Sequence, residues 1–208
     1  MTRPQCPPTR DHAPVLPDLD TLEDGALVAL HLKGPPPGRQ AAFGALIRRH
    51  KQPLYRLVVA QIGDPDEALD LVQESFVSAH AALARYDPAR SLRAWLARIA
   101  LNKCRDWHRR RRVRHFLARV LPTEAGERIA DPAADTQALA IGRDDLAQTL
   151  AAIARLPAAL REPLLLCTVD ELSHAEAAEA LGITAKAVET RVRRARAALA
   201  ADRKLPGA

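Results

Sequence analysis

Arg98, Asn102, Arg105, Arg109 and Arg112 stand at offsets 0, 4, 7, 11 and 14, a spacing that puts all five along one face of an α-helix. Four guanidiniums and an amide in a row hold a polyanion; they do not make or break covalent bonds. The face ends in the run Arg109-Arg110-Arg111-Arg112, and a run alone also fits a solvated helix end or a localisation signal. A second basic set lies near the end of the chain. Lys186, Thr190 and Arg193 share one side of a helix, flanked by Glu189, Arg191, Arg194 and Arg196. An arginine there can pair with guanine in a major groove or grip a phosphate, and its residue type does not choose between them. Asp70, Gln73 and Glu74 form a third, acidic and amide set off the apolar stripe of their helix.

Covalent chemistry would need clustered acids, a nucleophile with its base, or a metal set. None is legible. Cys104 and His108 sit four apart, a metal-like pair with no third or fourth ligand near in sequence. Cys6, Cys104 and Cys167 form no CxxC, so neither a disulfide framework nor a zinc site is signalled. His80, His108 and His115 have no serine or acid companions, and no glycine-rich phosphate loop is present. The reading is a non-enzyme with no catalytic residues, metal or cofactor. Trp95 and Trp107 could stack on unpaired bases, although Trp95 lies on an apolar stripe that suits a core.

The elements that carry these sets are all predicted helices. After a Pro-rich start, Gly34-Pro35-Pro36-Pro37-Gly38 interrupts a helix running from Thr21 to Lys33. Phe43, Leu46, Ile47, Leu54, Leu57 and Val58 recur at helical spacing from Ala41 to Ile62, with Pro53 a possible bend. Asp64-Pro65-Asp66-Glu67 starts the next helix, the Asp as cap and the Pro at its first position. Its expected apolar stripe is Leu69, Val72, Phe76, Ala79 and Leu83. Tyr86 to Arg90 breaks the chain, and Ser91 caps the long helix that bears the arginine face, with Leu92, Trp95, Leu96, Ile99 and Ala100 on its buried side. Pro122 to Thr136 has no clean period and reads as a linker. Helices follow at about Gln137–Arg155, Ala158–Val169, Ser173–Leu181 and Ala185–Ala201.

The last two of these have helix-turn-helix spacing. Ala178 stands four before Gly182 and Val188 six after it: a small residue for close approach, a glycine for the turn, an apolar anchor for the second helix. Burying Val188, Val192, Ala195 and Leu199 turns the Lys186-Thr190-Arg193 side outward, as major-groove reading requires.

Composition agrees with an all-α protein. Aromatic residues are 3% and apolar residues 48%, mostly Ala, Leu and Val, which suits helical bundles better than sheets. Residues 43–112 carry 14 basic against 7 acidic groups and 151–208 carry 9 against 7, while the intervening 113–150 carry 4 against 6. Two basic blocks around an acidic connector fit two lobes meeting one polyanion. The domains expected are an arm and short helix at 1–40, a helical domain at 41–114, a flexible linker at 115–136 and a second helical domain at 137–203. The N-terminal segment has Pro and acids where a signal peptide carries its apolar core, which predicts a cytoplasmic chain without membrane insertion.

Three stretches in this order resemble the extracytoplasmic-function group of the sigma-70 family. They are Asp70-Leu71-Val72-Gln73-Glu74-Ser75-Phe76, then Arg93-Ala94-Trp95-Leu96-Ala97-Arg98-Ile99-Ala100-Leu101-Asn102 with Asp106 following, and the helix-turn-helix ending Arg191-Val192-Arg193-Arg194-Ala195-Arg196. The resemblance covers about residues 40–112 and 140–201. It implies an RNA polymerase subunit that confers promoter specificity. Asp70, Gln73 and Glu74 would bind the clamp helices of core RNA polymerase. The Tyr86–Leu92 loop, with Arg90 and Ser91, would capture an unstacked base of the minus-ten element, and Arg98, Asn102, Arg105, Arg109 and Arg112 would hold the neighbouring strand. Trapping a flipped base offsets part of an unstacking cost of roughly a few kcal/mol. Lys186, Glu189, Thr190, Arg191, Arg193, Arg194 and Arg196 would read the minus-thirty-five element, and the linker would thread toward the polymerase active-site cleft. The family also implies an anti-sigma factor as partner. The chain departs from its pattern at Ala177 for a larger aliphatic, Ala185-Lys186-Ala187 for a Gly-Thr turn, Glu189 for a base and Arg193 for an aromatic. They bear on which promoter is read.

A stand-alone helix-turn-helix regulator explains residues 150–201 equally well but leaves the Asp70-Gln73-Glu74 helix and the arginine face without a task. A nuclease or recombinase would explain the basic faces but lacks an active site.

Overall fold

The computed structural model describes residues 18–120 and 142–202, and among them the chain is helical with no strand. The described residues fall into two compact units divided between Leu46 and Ile47. The Pro-rich start, the 122–136 linker and the first turn of the helix expected from Gln137 lie outside the described residues.

The first unit holds α1 (Asp24–Lys33) and the start of α2 (Pro36–Ile62). Pro36 and Pro37 open α2, where a missing N–H costs nothing, so this helix begins five residues ahead of the apolar pattern that announced it. His31 joins the two helices, its Nδ1 2.9 Å from the Arg39 carbonyl and its ring 5.2 Å from that of Phe43.

In the second unit, α3 (Pro65–Ala82) starts as expected: the Asp64 carboxylate accepts from the N–H groups of Asp66 and Glu67 at 3.1 Å each. Its buried face is Ala68, Leu71, Val72, Ser75, Phe76 and Ala79. This corrects the expected stripe at one point, because Leu69 is 42% exposed. Ser75 can take an inward position since its hydroxyl donates to the Leu71 carbonyl at 2.6 Å and leaves no orphaned donor. A 3-10 turn, Leu83–Arg85, follows, and then α4 (Leu92–Val120). Ser91 caps α4, its hydroxyl accepting from Ala94 N–H at 3.3 Å. Trp107 of α4 is buried and donates through Nε1 to Glu67 at 2.9 Å, tying α4 to the start of α3.

The four remaining helices are α5 (Gly142–Arg155), α6 (Ala158–Thr168), α7 (His174–Leu181) and α8 (Ala185–Asp202). Ser173 and Glu176 form a reciprocal capping box at the start of α7, and Gly182 ends it in the left-handed region at φ 68°, which a side chain would strain. Val188 and Ala195 are fully buried under α8, which packs on α6 and α7. The two helical domains share one apolar cluster: Leu57 of α2 and Ala94, Ala97 and Leu101 of α4 join Leu165, Leu172, Ala177 and Val188. Alanines on α4 and α7 let these two helices pack directly against each other.

Candidate nucleic-acid interface

α4 presents Arg98, Asn102, Arg105, Arg109 and Arg112 as exposed residues on one face, as their spacing predicts. They do not stand alike. Arg109 pairs with Asp106 at 3.0 Å, one turn away in the open. Arg105 Nη1 donates to Asn102 at 2.9 Å, while its Nε and Nη2 form a fork on Glu162 of α6 at 2.8 and 2.5 Å. That bidentate contact raises the guanidinium's proton affinity further, with the Glu162 hydrogen bond as the main cause. Arg90 is exposed and 3.5 Å from Asp87, and the Tyr86 hydroxyl donates to the Arg90 carbonyl, which shapes the loop before α4. Ser91 contributes a hydrogen bond to Glu176, whose carboxyl is held low mainly by the Ser173 backbone and hydroxyl, with Ser91 and Arg93 adding to this.

Sequence reasoning missed the acids that meet this helix. Arg93 Nε lies 3.1 Å from Asp170, whose side chain is only 2% exposed. Burial raises the Asp170 carboxyl above the usual carboxylate range against the opposing pull of Arg93, and one of its oxygens has no hydrogen-bond partner. Arg93–Asp170 and Arg105–Glu162 therefore fasten the C-terminal domain over part of the arginine helix. Both acids sit in apolar surroundings, Glu162 within α6 and Asp170 just after it. A charge among leucines was the available signal, since a carboxylate in such a place must find a cation.

Trp107 is core, which removes it as a stacking platform for unpaired bases. Trp95 is half-buried, its ring 5.2 Å from that of Tyr86 and tilted by 51°. Cys104 is buried, and that burial, followed by the nearby Glu162, pushes its thiol up to about 12. It stays protonated and makes a poor metal ligand. Among the described residues no group of three or more His, Cys, Asp and Glu is placed to hold a metal.

On α8 the basic side points outward. Lys186, Glu189, Arg193, Arg194 and Arg196 are exposed, with Thr190 and Arg191 half-buried. Lys186 Nζ binds Glu189 at 2.9 Å, which holds that carboxylate low, and the Thr190 hydroxyl donates to the Lys186 carbonyl at 2.9 Å. Glu189 thus neutralises Lys186 and leaves the exposed Arg193, Arg194 and Arg196 as the positive end of this side of α8.

Asp70, Gln73 and Glu74 are exposed on α3, with Glu74 3.4 Å from Lys103 of α4. Leu69 and Val77, 42% and 71% exposed, flank them. Two bare aliphatics between acids and an amide make a surface suited to protein rather than to DNA. Among the described residues no helix is long and apolar enough to cross a membrane.

The family profile described as Sigma-70 region 2 matches residues 46–114, and that of Sigma-70, region 4 matches residues 146–199. The chain is 43% identical over 166 residues to the RNA polymerase sigma factor NccH of Alcaligenes xylosoxydans, covering 79% of this chain and 88% of that one. It is 33% identical over 166 residues to the ECF RNA polymerase sigma factor SigW of Bacillus subtilis, covering 78% and 89%. The solved structure of CnrH with the cytosolic domain of CnrY superposes with a TM-score of 0.62 at 35% identity, over 88% of this chain and 99% of CnrH. RpoE bound to the anti-sigma factor NepR, from Bartonella quintana, shares the fold with a TM-score of 0.59 at 24% identity, over 79% and 98%. With both helical domains matched in order and relatives this near along most of their length, the chain belongs to the extracytoplasmic-function sigma factors of RNA polymerase.

Proposed function

We propose that α3 docks the chain on core RNA polymerase through Asp70, Gln73 and Glu74, with Leu69 and Val77 as the apolar part of the contact. Arg90, Ser91 and the α4 face from Arg98 to Arg112 take the opened minus-ten strand. The exposed side of α8 reads the minus-thirty-five duplex. The observation that supports this reading over a stand-alone DNA-binding regulator is the α3 surface. A helix-turn-helix that acts alone has no use for a second domain bearing bare aliphatics among acids on one side and an arginine face on the other. The same reading makes an anti-sigma factor the natural partner, because CnrH and RpoE are seen with CnrY and NepR. No step calls for covalent chemistry from this chain.

The test is gel filtration with bacterial core polymerase. The wild-type chain co-elutes, and Asp70→Ala/Gln73→Ala/Glu74→Ala, all exposed and dispensable for folding, does not. A triple variant that still co-elutes would move the docking surface off α3.

A further inference from the structure

A cavity of about 650 Å³ opens where α4 meets α6. Three arginines line it, Arg111 and Arg112 from α4 and Arg161 from α6. Arg161 is spent on neutral acceptors, its Nε on Gln61 Oε1 at 3.0 Å and its Nη1 on the Ala154 carbonyl at 2.9 Å. Glu162 in the wall is already engaged by Arg105. His108, 3.4 Å from Arg161 Nη2, is pushed toward neutrality by burial and then by Arg161, Arg112 and Arg111, which registers a positive potential in the cavity. Gln61 is 3% exposed, and its Nε2 is buried with no acceptor. A buried donor left unmet costs about 1–3 kcal/mol, so the site is short of an oxygen. Phe116, one turn beyond Arg112 on α4 and 65% exposed, also lines the cavity.

We infer that this cavity is a binding site for a nucleoside phosphate, its phosphates on Arg161 and Arg112 and its base against Phe116. The volume falls in the range of about 300–1,000 Å³ that encloses small organic ligands and far exceeds the needs of a lone phosphate. Arginine from two helices suits an anion with several charged oxygens better than a carboxylate would. Arg112 also belongs to the proposed minus-ten face, so strand and nucleotide would compete for it, and titrating the chain without polymerase or DNA keeps the two readings apart.

Isothermal titration of the full chain, without polymerase or DNA, tests it with ATP and pyrophosphate as probes. ATP binds at one site per chain. Arg161→Gln weakens ATP and pyrophosphate alike by tenfold or more, Phe116→Ala weakens ATP several-fold and leaves pyrophosphate unchanged, and Arg193→Ala on distant α8 alters neither. Phe116→Ala removes an exposed ring and folds normally, so the apolar arm is readable even if Arg161→Gln unfolds the chain. No saturable binding, equal weakening in Arg193→Ala, or an ATP affinity indifferent to Phe116 overturns the site.

Discussion

Arg193 stands on the exposed side of α8, and its fork can meet a guanine edge or a phosphate. If it reads a base, Arg193→Ala costs about 1–3 kcal/mol on the correct promoter and little on other DNA. Competition binding against scrambled duplex measures this, and an equal loss on every sequence makes it a phosphate contact. His108 yields a second prediction. Burial, and after it Arg161, lowers its proton affinity below the ordinary imidazole value. The unfolded chain therefore takes up this proton before the folded one does. Stability from the group is whole above about pH 6.5 and falls as pH drops below it. Thermal melts from about pH 7.5 to about 5.5 should slope less for His108→Gln than for wild type; parallel slopes would contradict the assignment. Spacing made the α4 and α8 faces legible residue by residue. It could not show that Lys186 is occupied by Glu189, or that Trp107 turns inward to Glu67, because those depend on rotamers and on a helix forty residues away.

Two helix starts were readable, since Asp64 and Ser91 cap as their side-chain chemistry dictates, whereas Ser173, expected as the first helical residue, is the cap of α7. The face of α3 was read less well. The expected stripe is buried at Val72, Phe76, Ala79 and Leu83 but not at Leu69, and the packed face also takes in Ala68, Leu71 and Ser75, of which Ala68 is small and Ser75 satisfies its own hydroxyl. The displaced Leu69 then becomes part of the proposed polymerase surface. Between α4 and α6, the fork from Arg105 to a largely buried Glu162 occupies a guanidinium of the proposed minus-ten face. Hydrogen bonds to charged groups are worth about 1.5–3 kcal/mol, somewhat less here because Arg105 is half-exposed. Glu162→Gln keeps the shape and removes the charge, so the free chain should bind a single-stranded minus-ten oligonucleotide several-fold more tightly. Unchanged affinity in a fluorescence-anisotropy titration would mean that Arg105 contributes nothing to the strand.

At the scale of the whole molecule, charge counting found two basic blocks and an acidic connector, and the two helical domains are there. Their mutual packing was not legible. Arg105 and Glu162 are 57 residues apart and Arg93 and Asp170 are 77 apart, and nothing local marks an arginine in one domain as the partner of an acid in the other. The packed arrangement covers part of the α4 face while α8 stays exposed, so the two proposed DNA surfaces differ in readiness. On that reading duplex recognition through α8 needs no rearrangement, whereas strand capture by α4 requires Arg105 to leave Glu162. In the proposed division of labour α8 binds the upstream duplex and α4 holds the opened strand, and 2-aminopurine fluorescence at the minus-ten element, in complexes of core polymerase, promoter and this chain, separates the two roles. At saturating DNA, Asn102→Ala/Arg109→Ala should form complexes that fail to open, and Arg193→Ala should open fully once bound but need more DNA to do so. Full opening by the α4 variant, or failure of the α8 variant to open at saturation, would contradict that division.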